Sequence, residues 1–514
     1  MAILGYETFA AAKARFTWAD RWRLFDGGPD RFNLAHECLL RHVAAGRGKS
    51  PAARIVMPDG GIECAGFADL ASDALRMAAH LRDRGIGAGD AVVMHLDPSL
   101  DYLRLLMGGL AAGAVMVPCS RLLGADAMAL RIADARPRLV VGEPGDAPMA
   151  LPADTAFTAC GALVRDASRE SAAFVPETRA SDPAFYVYSS GTTGRPKRTV
   201  IQQQGFTYLV AIVGALVLDL GPADRYLATY APNWLAGFGW GALVPMALGT
   251  AAGMLRGRFD ADRVMDALER MEATALHAPP TAYRRLLGAD RGQLIPLAKL
   301  AYTAEAMDAG LAEAIRSRFG HYARGHYGAS EVGMVAADYA FPDYAVHPGA
   351  VGKPLPGTDV VIVDAADGPV VPGAVGAVAL RRGGHVLRTG DLGWVDEDGY
   401  LRLKGRENDA IISAGYTIGA EEIEEALRLH PWVADAAVVA RPDAERGHVP
   451  RAFVQLRPGG ASGVDEYALA AALKDHVRAR LGRHAYPHDV IVMAELPRNE
   501  NGKVAKATLR AAQD

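Results

Sequence analysis

Apolar residues recur at two spacings along the first third of the chain, and the two alternate. In "FADLASDALRMAAHLRDRG", Phe67, Leu70, Ala71, Leu75, Ala78 and Leu81 follow the spacing of one helix face, and Gly85 ends the run. "DAVVMHL" after it is a short β-prone stretch. "LDYLRLLMGGLAAG" predicts a second helix and "AVMVPC" a second strand, and "ALRIADARPRLVVG" repeats the pattern. Helix and strand alternating at this pace predict an α/β architecture with largely parallel strands. The same texture continues from Phe185 to Ala337. After about Ala350 it gives way to short strands punctuated by Gly, Pro and Asp-Gly, the pattern of a small antiparallel β-subdomain. The last hundred residues read as a compact αββαβ unit, long enough for a core of its own. The expected organisation is a large N-terminal domain of layered α/β subdomains plus the β-subdomain, residues 1–406. A junction at 407–409 and a small α+β C-terminal domain at 410–514 follow.

Composition narrows the classes. The chain has 514 residues, half of them apolar, and a formal net charge of -4. That balance argues against a nucleic-acid binder, which would carry a clustered basic excess. Cys38, Cys64, Cys119 and Cys160 are scattered without a Cys-x-x-Cys pair, the pattern of reduced structural thiols in a cytoplasmic protein. No His-Glu-x-x-His occurs, and the N-terminus lacks the pattern of a secretory signal. Between Arg225 and Arg256 no residue is charged, and the window is long enough for a membrane span of about 20 residues. Pro232, Asn233, Pro245 and several glycines interrupt it, so a buried strand, a turn and a buried helix are expected instead.

The strand-like "PAFYVYS" runs into "YSSGTTGRPKRTV", Tyr188 to Val200. Gly191, Gly194 and Pro196 exclude a helix and make a poor strand. Backbone N–H groups of a Gly-rich turn form an anion-binding nest. Ser189, Ser190, Thr192 and Thr193 add hydroxyl donors and Lys197 a mobile cation. On these residues alone the loop is either a phosphate site or a solvated linker. It does not follow G-x-x-x-x-G-K-[ST].

The loop is the first of five motifs in one order: "YSSGTTGRPK", "HYGASE" at 326–331, "RTGDL" at 388–392, "LKGREND" at 403–409 and "PRNENGKVAK" at 497–506. Together they resemble the adenylate-forming superfamily of acyl-CoA synthetases, peptide-synthetase adenylation domains and luciferases. The likeness covers most of residues 30–514. "NLAHECLLRH" at 33–42 and "SAGYTIGAEEIEEAL" at 413–427 look most like the acetyl, medium-chain and benzoate CoA ligase branch.

The resemblance implies ATP-dependent activation of a carboxylic acid to an acyl-AMP with release of pyrophosphate, then transfer to a thiol. Lys503 takes the place of the superfamily's catalytic lysine, bridging carboxylate and α-phosphate oxygens, where a compact ammonium fits better than a planar fork. Residues Ser189, Ser190, Gly191, Thr192, Thr193, Gly194 and Lys197 correspond to the phosphate loop. Ala304, Glu305, His326, Tyr327, Gly328 and Ser330 fall in nucleotide-binding motifs, with Tyr327 the aromatic that stacks on adenine. Asp391 corresponds to the acid that takes both ribose hydroxyls, and Arg406 contacts the nucleotide at the junction. Glu331 and Thr193 are the implied Mg²⁺ ligands, in keeping with that ion's use of one or two carboxylates plus substrate phosphates. Outside these motifs, each residue has an ordinary alternative: an exposed terminal lysine, a turn aspartate, a core tyrosine, a capping glutamate.

Four positions depart from the usual pattern. Asn408 stands at the hinge, where Asp or Lys is common; Ser330 replaces threonine; Ala304 in "TAEAM" replaces a frequent glycine, narrowing the acyl pocket; Arg198 replaces glycine. None removes a catalytic group.

The uncharged window bears on the substrate. "YAPNWLAGFGW" offers no carboxylate for a substrate ammonium, which disfavours amino acids. Trp234, Phe238 and Trp240 are candidate walls of an apolar pocket, each equally an ordinary core residue, with Gly237, Gly239 and Gly241 leaving room; Ala304 joins them. The expected acid is medium-chain, aromatic or alicyclic. Coenzyme A is the expected acceptor, with Ser413, Ala414, Gly415 and Tyr416 forming its tunnel after the C-terminal domain rotates. A carrier protein as acceptor and a homodimer stay open.

Overall fold

The structure is a computed structural model and describes residues 4–511, except 122, 124, 145, 147–150, 190–196, 233–234, 290–294, 306, 330–331, 408–409, 414–415, 444–446, 482–485 and 500–501. At 125–126, 189, 406, 410, 412–413, 416–418 and 447 the backbone alone is described. The chain forms two compact units. One comprises 1–327, 337–348 and 355–357; the other comprises 328–336, 349–354 and 358–514. The sequence-derived cut after Arg406 falls inside the second.

In the first unit, a six-stranded sheet runs in the order Ala156–Ala159, Leu139–Gly142, Ala91–His95, Val115–Cys119, Pro183–Ser189, Lys197–Gln202. Neighbours are parallel up to the last pair, which is antiparallel. Val115–Cys119 and Leu139–Gly142 are buried at every position, as strands covered on both faces are. The predicted helices are Phe67–Asp83 and Leu100–Ala112. Gly108 and Gly109 let the second approach its neighbours. A Cβ on Gly108 would lie 2.4 Å from Met77 Cγ, and one on Gly109 2.2 Å from Met116 Sδ.

The uncharged window is a strand, Tyr226–Ala228, a buried helical stretch, Ala236–Ala247, and a strand, Ala252–Leu255. No described helix is long and apolar enough to cross a membrane. Part of the glycine-rich motif differs from its expected irregularity. Tyr188 and Ser189 pair with Arg198 and Lys197 as the feet of an antiparallel hairpin. The breakers are confined to 191–196, and the β-prone Thr199 and Val200 extend the second strand.

Two buried carboxylates tie loops to this unit. Glu37 is fully buried and accepts from the N–H groups of Asp26 and Gly27 at 3.1 and 2.8 Å, with Arg41 at 3.4 Å. Asn33 caps the same segment: its Oδ1 accepts from Ala35 and His36, and its Nδ2 donates to Leu110 and Thr178. The "NLAHE" motif thus ties the helix Leu100–Ala112 to the loops that carry Asp26, Gly27 and Thr178. Asp338 accepts from Gly325 N–H at 2.8 Å and Tyr344 O–H at 2.9 Å.

The second unit contains an antiparallel sheet in the order Asp359–Val363, Gly376–Arg382, His385–Val395, Leu401–Arg406. It also holds the αββαβ run: Ala420–Arg428, Val433–Asp443, Gly447–Leu456, Glu466–Leu481 and Asp489–Met493. Ile423, Leu427, Val438, Val454, Leu473 and Val477 fill the core of this run.

Burial raises the Asp338 carboxyl from its ordinary 3.8 to about 7, because its two hydrogen bonds and nearby Arg324 only partly replace water. Between pH 4 and 7 the folded chain therefore binds more protons than the unfolded one, and stability falls as pH rises through that window. Asp338→Asn keeps an acceptor for Gly325 and cannot titrate. Urea unfolding of wild type and variant across pH 4.5–7.5 is expected to show a shallower loss in the variant, by up to about 1.4 kcal/mol per pH unit. Parallel curves would remove Asp338 as the cause.

Candidate active site

Four parallel strands carry the next layer of chemistry: Tyr226–Ala228, Ala275–His277, Lys299–Tyr302 and Arg324–Ala329, adjacent in that order. Helices return the chain between them. Ala261–Arg270 starts on Asp260, whose side chain accepts from Arg263 N–H, and buries Val264, Met265, Ala267 and Leu268. Ala309–Phe319 starts on Asp308 in the same way and stops at Gly320 in the left-handed region. The register sets Ala228, His277 and Ala301 level, with Tyr302 beside Gly325. All four carboxyl ends then open on one edge, the usual place for ligands in an open α/β sheet.

At that edge Thr303 N–H donates to Tyr230 Oη at 3.2 Å, and Thr303 Oγ1 donates to the His326 carbonyl at 2.8 Å. Glu305 accepts from Thr281 through both N–H and hydroxyl, at 3.1 and 3.2 Å, and so holds the first turn of Pro280–Leu287. His277 and His326 meet Nε2 to Nε2 at 3.0 Å. Trp240 covers the pair, edge-on to His326 with ring centroids 4.7 Å apart and tilted against His277 at 5.3 Å. Tyr230 stands edge-on to His277 at 5.0 Å. Burial holds both imidazoles neutral: His326 is pushed down to about 3, and His277 well below its usual value, lowered further by His326.

The sequence-predicted residues fall into three groups. Ala304, Glu305, His326 and Tyr327 share the strand ends just described, with His326 buried and Tyr327 half-buried. The phosphate-loop residues Ser190, Gly191, Thr192, Thr193 and Gly194 lie outside the described residues, but their hairpin feet are fixed. Tyr188 O–H donates to Asp134 Oδ2 at 2.6 Å, Arg198 donates to the Asp134 carbonyl at 3.2 Å, and Lys197 is exposed. Arg198, the departure from glycine, also lies over the Tyr186 ring. Trp234 is outside the described residues too. Phe238 stacks on Phe185 at 4.5 Å and meets Phe206 at 6.1 Å, inside the core. Gly239 leaves van der Waals space beside Leu235 and Phe206, whereas a Cβ on Gly237 would lie 1.8 Å from the Ala231 carbonyl oxygen. Gly237 therefore serves a close backbone approach rather than an opening.

The third group lies in the second unit. Asp391 and Arg406 are direct cross-strand partners, joining "RTGDL" to "LKGR". Asp391 is buried, and its N–H donates to Thr389 Oγ1 at 3.1 Å. Gly328 accommodates the backbone of Gly333, whose carbonyl oxygen would lie 2.6 Å from an added Cβ. Lys503 sits on a loop closed upon itself. Its N–H donates to Asn499 Oδ1 at 3.0 Å, and its carbonyl accepts from Asn499 N–H at 2.8 Å. Arg498 and Val504 form a bridge beneath. Ser413 and Tyr416 are cross-strand partners of the antiparallel pair Ala410–Ser413 and Tyr416–Gly419. Ser330, Glu331, Asn408, Ala414 and Gly415 lie outside the described residues. Among the described residues no group of three or more His, Cys, Asp or Glu side chains is placed to hold a metal.

Sequence reasoning missed His277, Tyr226 and Tyr230. His277 lies in "ALHAPP", a strand of three residues followed by two prolines, with no motif around it. The chain shows similarity to known proteins along nearly its whole length. Its residues 40–389 match the AMP-binding enzyme family, and 422–503 match the AMP-binding enzyme C-terminal domain. It is 29% identical to the uncharacterised acyl–CoA ligase YtcI of Bacillus subtilis, across 95% of this chain and 97% of that one. It is also 29% identical to the mitochondrial acyl-coenzyme A synthetase ACSM5 of Mus musculus, across 94% and 91%. The crystal structure of a Brucella canis acyl-CoA synthetase superposes with a TM-score of 0.73 at 27% identity, across 98% and 99%. The chain belongs to the AMP-binding enzyme family, in the acyl-CoA ligase branch of the adenylate-forming enzymes.

Proposed function

We propose that this chain activates a largely apolar carboxylic acid (medium-chain, aromatic or alicyclic) with ATP, and passes the acyl group to coenzyme A. The observation that carries the reading is the closed Asn499–Lys503 loop, which fixes the backbone of the one lysine the chemistry demands.

In the first half-reaction a carboxylate oxygen attacks the α-phosphorus and the bond to pyrophosphate breaks. Negative charge gathers between two anions, and catalysis consists of placing cations and donors where it develops. Lys503 bridges the carboxylate and an α-phosphate oxygen. Backbone N–H groups and hydroxyls of 189–194, with Lys197, hold the departing phosphates. Asp391 accepts both ribose hydroxyls, Arg406 meets the nucleotide from the neighbouring strand, and Tyr327 stacks on the base. Thr193 and Glu331 offer only hard oxygen donors, a set that suits Mg²⁺ shared with the phosphates; when bound, the ion would neutralise phosphate charge. In the second half-reaction the C-terminal segment from 410 to 514 turns about 407–409, with Asn408 as pivot. Ser413, Ala414, Gly415 and Tyr416 then line the thiol's path. The CoA sulfur attacks the acyl carbon, AMP leaves, and the thiol proton is released to solvent.

The absence of charge between Arg225 and Arg256 supports an acid without an ammonium group. The free thiols of Cys38, Cys64 and Cys160 support a reducing, cytoplasmic setting. Ala304 adds a specific constraint. It has φ of +80°, left-handed territory that costs a non-glycine residue about 1–2 kcal/mol, and it adds a methyl group at the strand edge.

Pyrophosphate release with ATP, Mg²⁺ and a panel of acids, each with and without CoA, tests the reaction. Steady turnover requiring one acid and CoA is expected; a single burst that CoA cannot relieve would point to a carrier protein as acceptor. Lys503→Ala is expected to lower acyl-AMP formation about 10²–10³-fold, with Lys503→Arg failing to restore it; adenylation at the wild-type rate in either would remove Lys503 from the mechanism. Ala304→Gly is expected to raise thermal stability by about 1 kcal/mol and to admit bulkier acids. A variant no more stable than wild type, with an unchanged acid profile, would show that the methyl group neither strains the backbone nor shapes the pocket.

A further inference from the structure

The buried polar chain behind Trp240 has a direction, and counting protons fixes it. Tyr226 Oη lies 2.9 Å from the Trp240 carbonyl and 3.3 Å from His277 Nδ1. A carbonyl can only accept, so the single phenolic proton goes to Trp240. His277 Nδ1 must then be the N–H that donates to Tyr226. A neutral imidazole has one N–H, which leaves His277 Nε2 as an acceptor. The 3.0 Å contact to His326 is satisfied only if His326 Nε2 carries its proton. By the same count His326 Nδ1 is a bare acceptor. It is buried, and it has no hydrogen-bond partner among the described residues.

An acceptor buried without a donor is costly, and such orphans mark places where a missing group belongs. Here the orphan ends a four-member chain at the carboxyl edge of the sheet, beside Thr303 and the strained Ala304. The chain presents it from behind with a fixed tautomer, because each member is locked by the one before. Burial excludes the imidazolium form that could turn Nδ1 into a donor.

We propose that His326 Nδ1 accepts a hydrogen bond from a neutral O–H or N–H group on the acyl part of the acid this chain activates. The inference rests on the acyl-activation reading and refines its substrate: an otherwise apolar acid bearing one hydroxyl, or one uncharged amine such as an arylamine. A fluoro or methoxy group at the same place carries lone pairs but no proton and would face Nδ1 lone pair to lone pair.

The test compares matched acids in the pyrophosphate-release assay. Hydroxy- and aminobenzoates are set against their fluoro and unsubstituted counterparts at each ring position, and hydroxyalkanoates against fluorinated and plain chains. Wild type is expected to favour at least one donor-bearing acid over its fluoro isostere by about 10- to 100-fold in kcat/KM. In His326→Phe that ratio is expected to fall below about 3-fold; reading the ratio within one variant cancels any general loss of activity. Tyr226→Phe, which removes only the hydroxyl that sets the tautomers, is expected to shrink the ratio without changing which acid is preferred, and it serves if His326→Phe does not fold. A wild-type ratio near one, as when a buried water occupies Nδ1, overturns the proposal while leaving the ligase reading intact. A ratio that survives in both variants also overturns it. Failure of every acid to release pyrophosphate sinks the ligase reading and this inference together.

Discussion

The register of four short parallel strands is the constraint on which the candidate site depends. Tyr226–Ala228, Ala275–His277, Lys299–Tyr302 and Arg324–Ala329 are aligned so that their carboxyl ends finish together. A slip of one residue in a strand would turn its side chains to the opposite face. His277 would leave His326, and Thr303 would lose both Tyr230 and the His326 carbonyl. The helices packed behind, with Val264, Leu268, Tyr283, Leu286, Ile315 and Phe319 in one core, hold that register by burying a single apolar surface. Site geometry and hydrophobic packing are here one problem.

Two ways of burying polarity stand side by side in the first unit. Glu37 and Asp338 are tied to backbone N–H groups, and each splices a loop onto the fold. The tyrosine and histidine chain behind Trp240 is instead neutral throughout, because burial penalises each charged form. Neutral polar groups in a dry setting discriminate by hydrogen-bond direction rather than by charge. Such a wall can accept an uncharged donor and reject an ammonium, in line with a sequence that places no charge from 226 to 255.

Much of the fold was legible because burial repeats locally. The helix over Phe67–Asp83, the strands about it and the αββαβ run announce themselves through apolar spacing, which depends on neighbours within a turn or two. The feet of the glycine-rich loop were less legible. Strand pairing at Arg198–Val200 is decided by Tyr186–Tyr188 across the hairpin and by Asp134 from a distant helix. Phe238 looked as available for a pocket as Trp240, since both belong to one apolar run. Packing separates them, sending Phe238 to Phe185 and Trp240 to the histidines.

The sequence by itself determined the alternation of elements, and its motifs, which hold Lys503, Asp391 and Tyr327, carried the likeness to the AMP-binding enzyme family that the whole chain bears out, because motifs are residue types at short, fixed spacings. It also determined that the segment after Arg225 is uncharged. Only the tertiary structure decided that His277 meets His326, forty-nine positions later, that Tyr226 faces the Trp240 carbonyl, and that Ala304 takes a left-handed backbone. Those facts arise from strand register and from packing along a buried hydrogen-bonded chain. Both couple residues distant in sequence, and neither leaves a periodic trace in it.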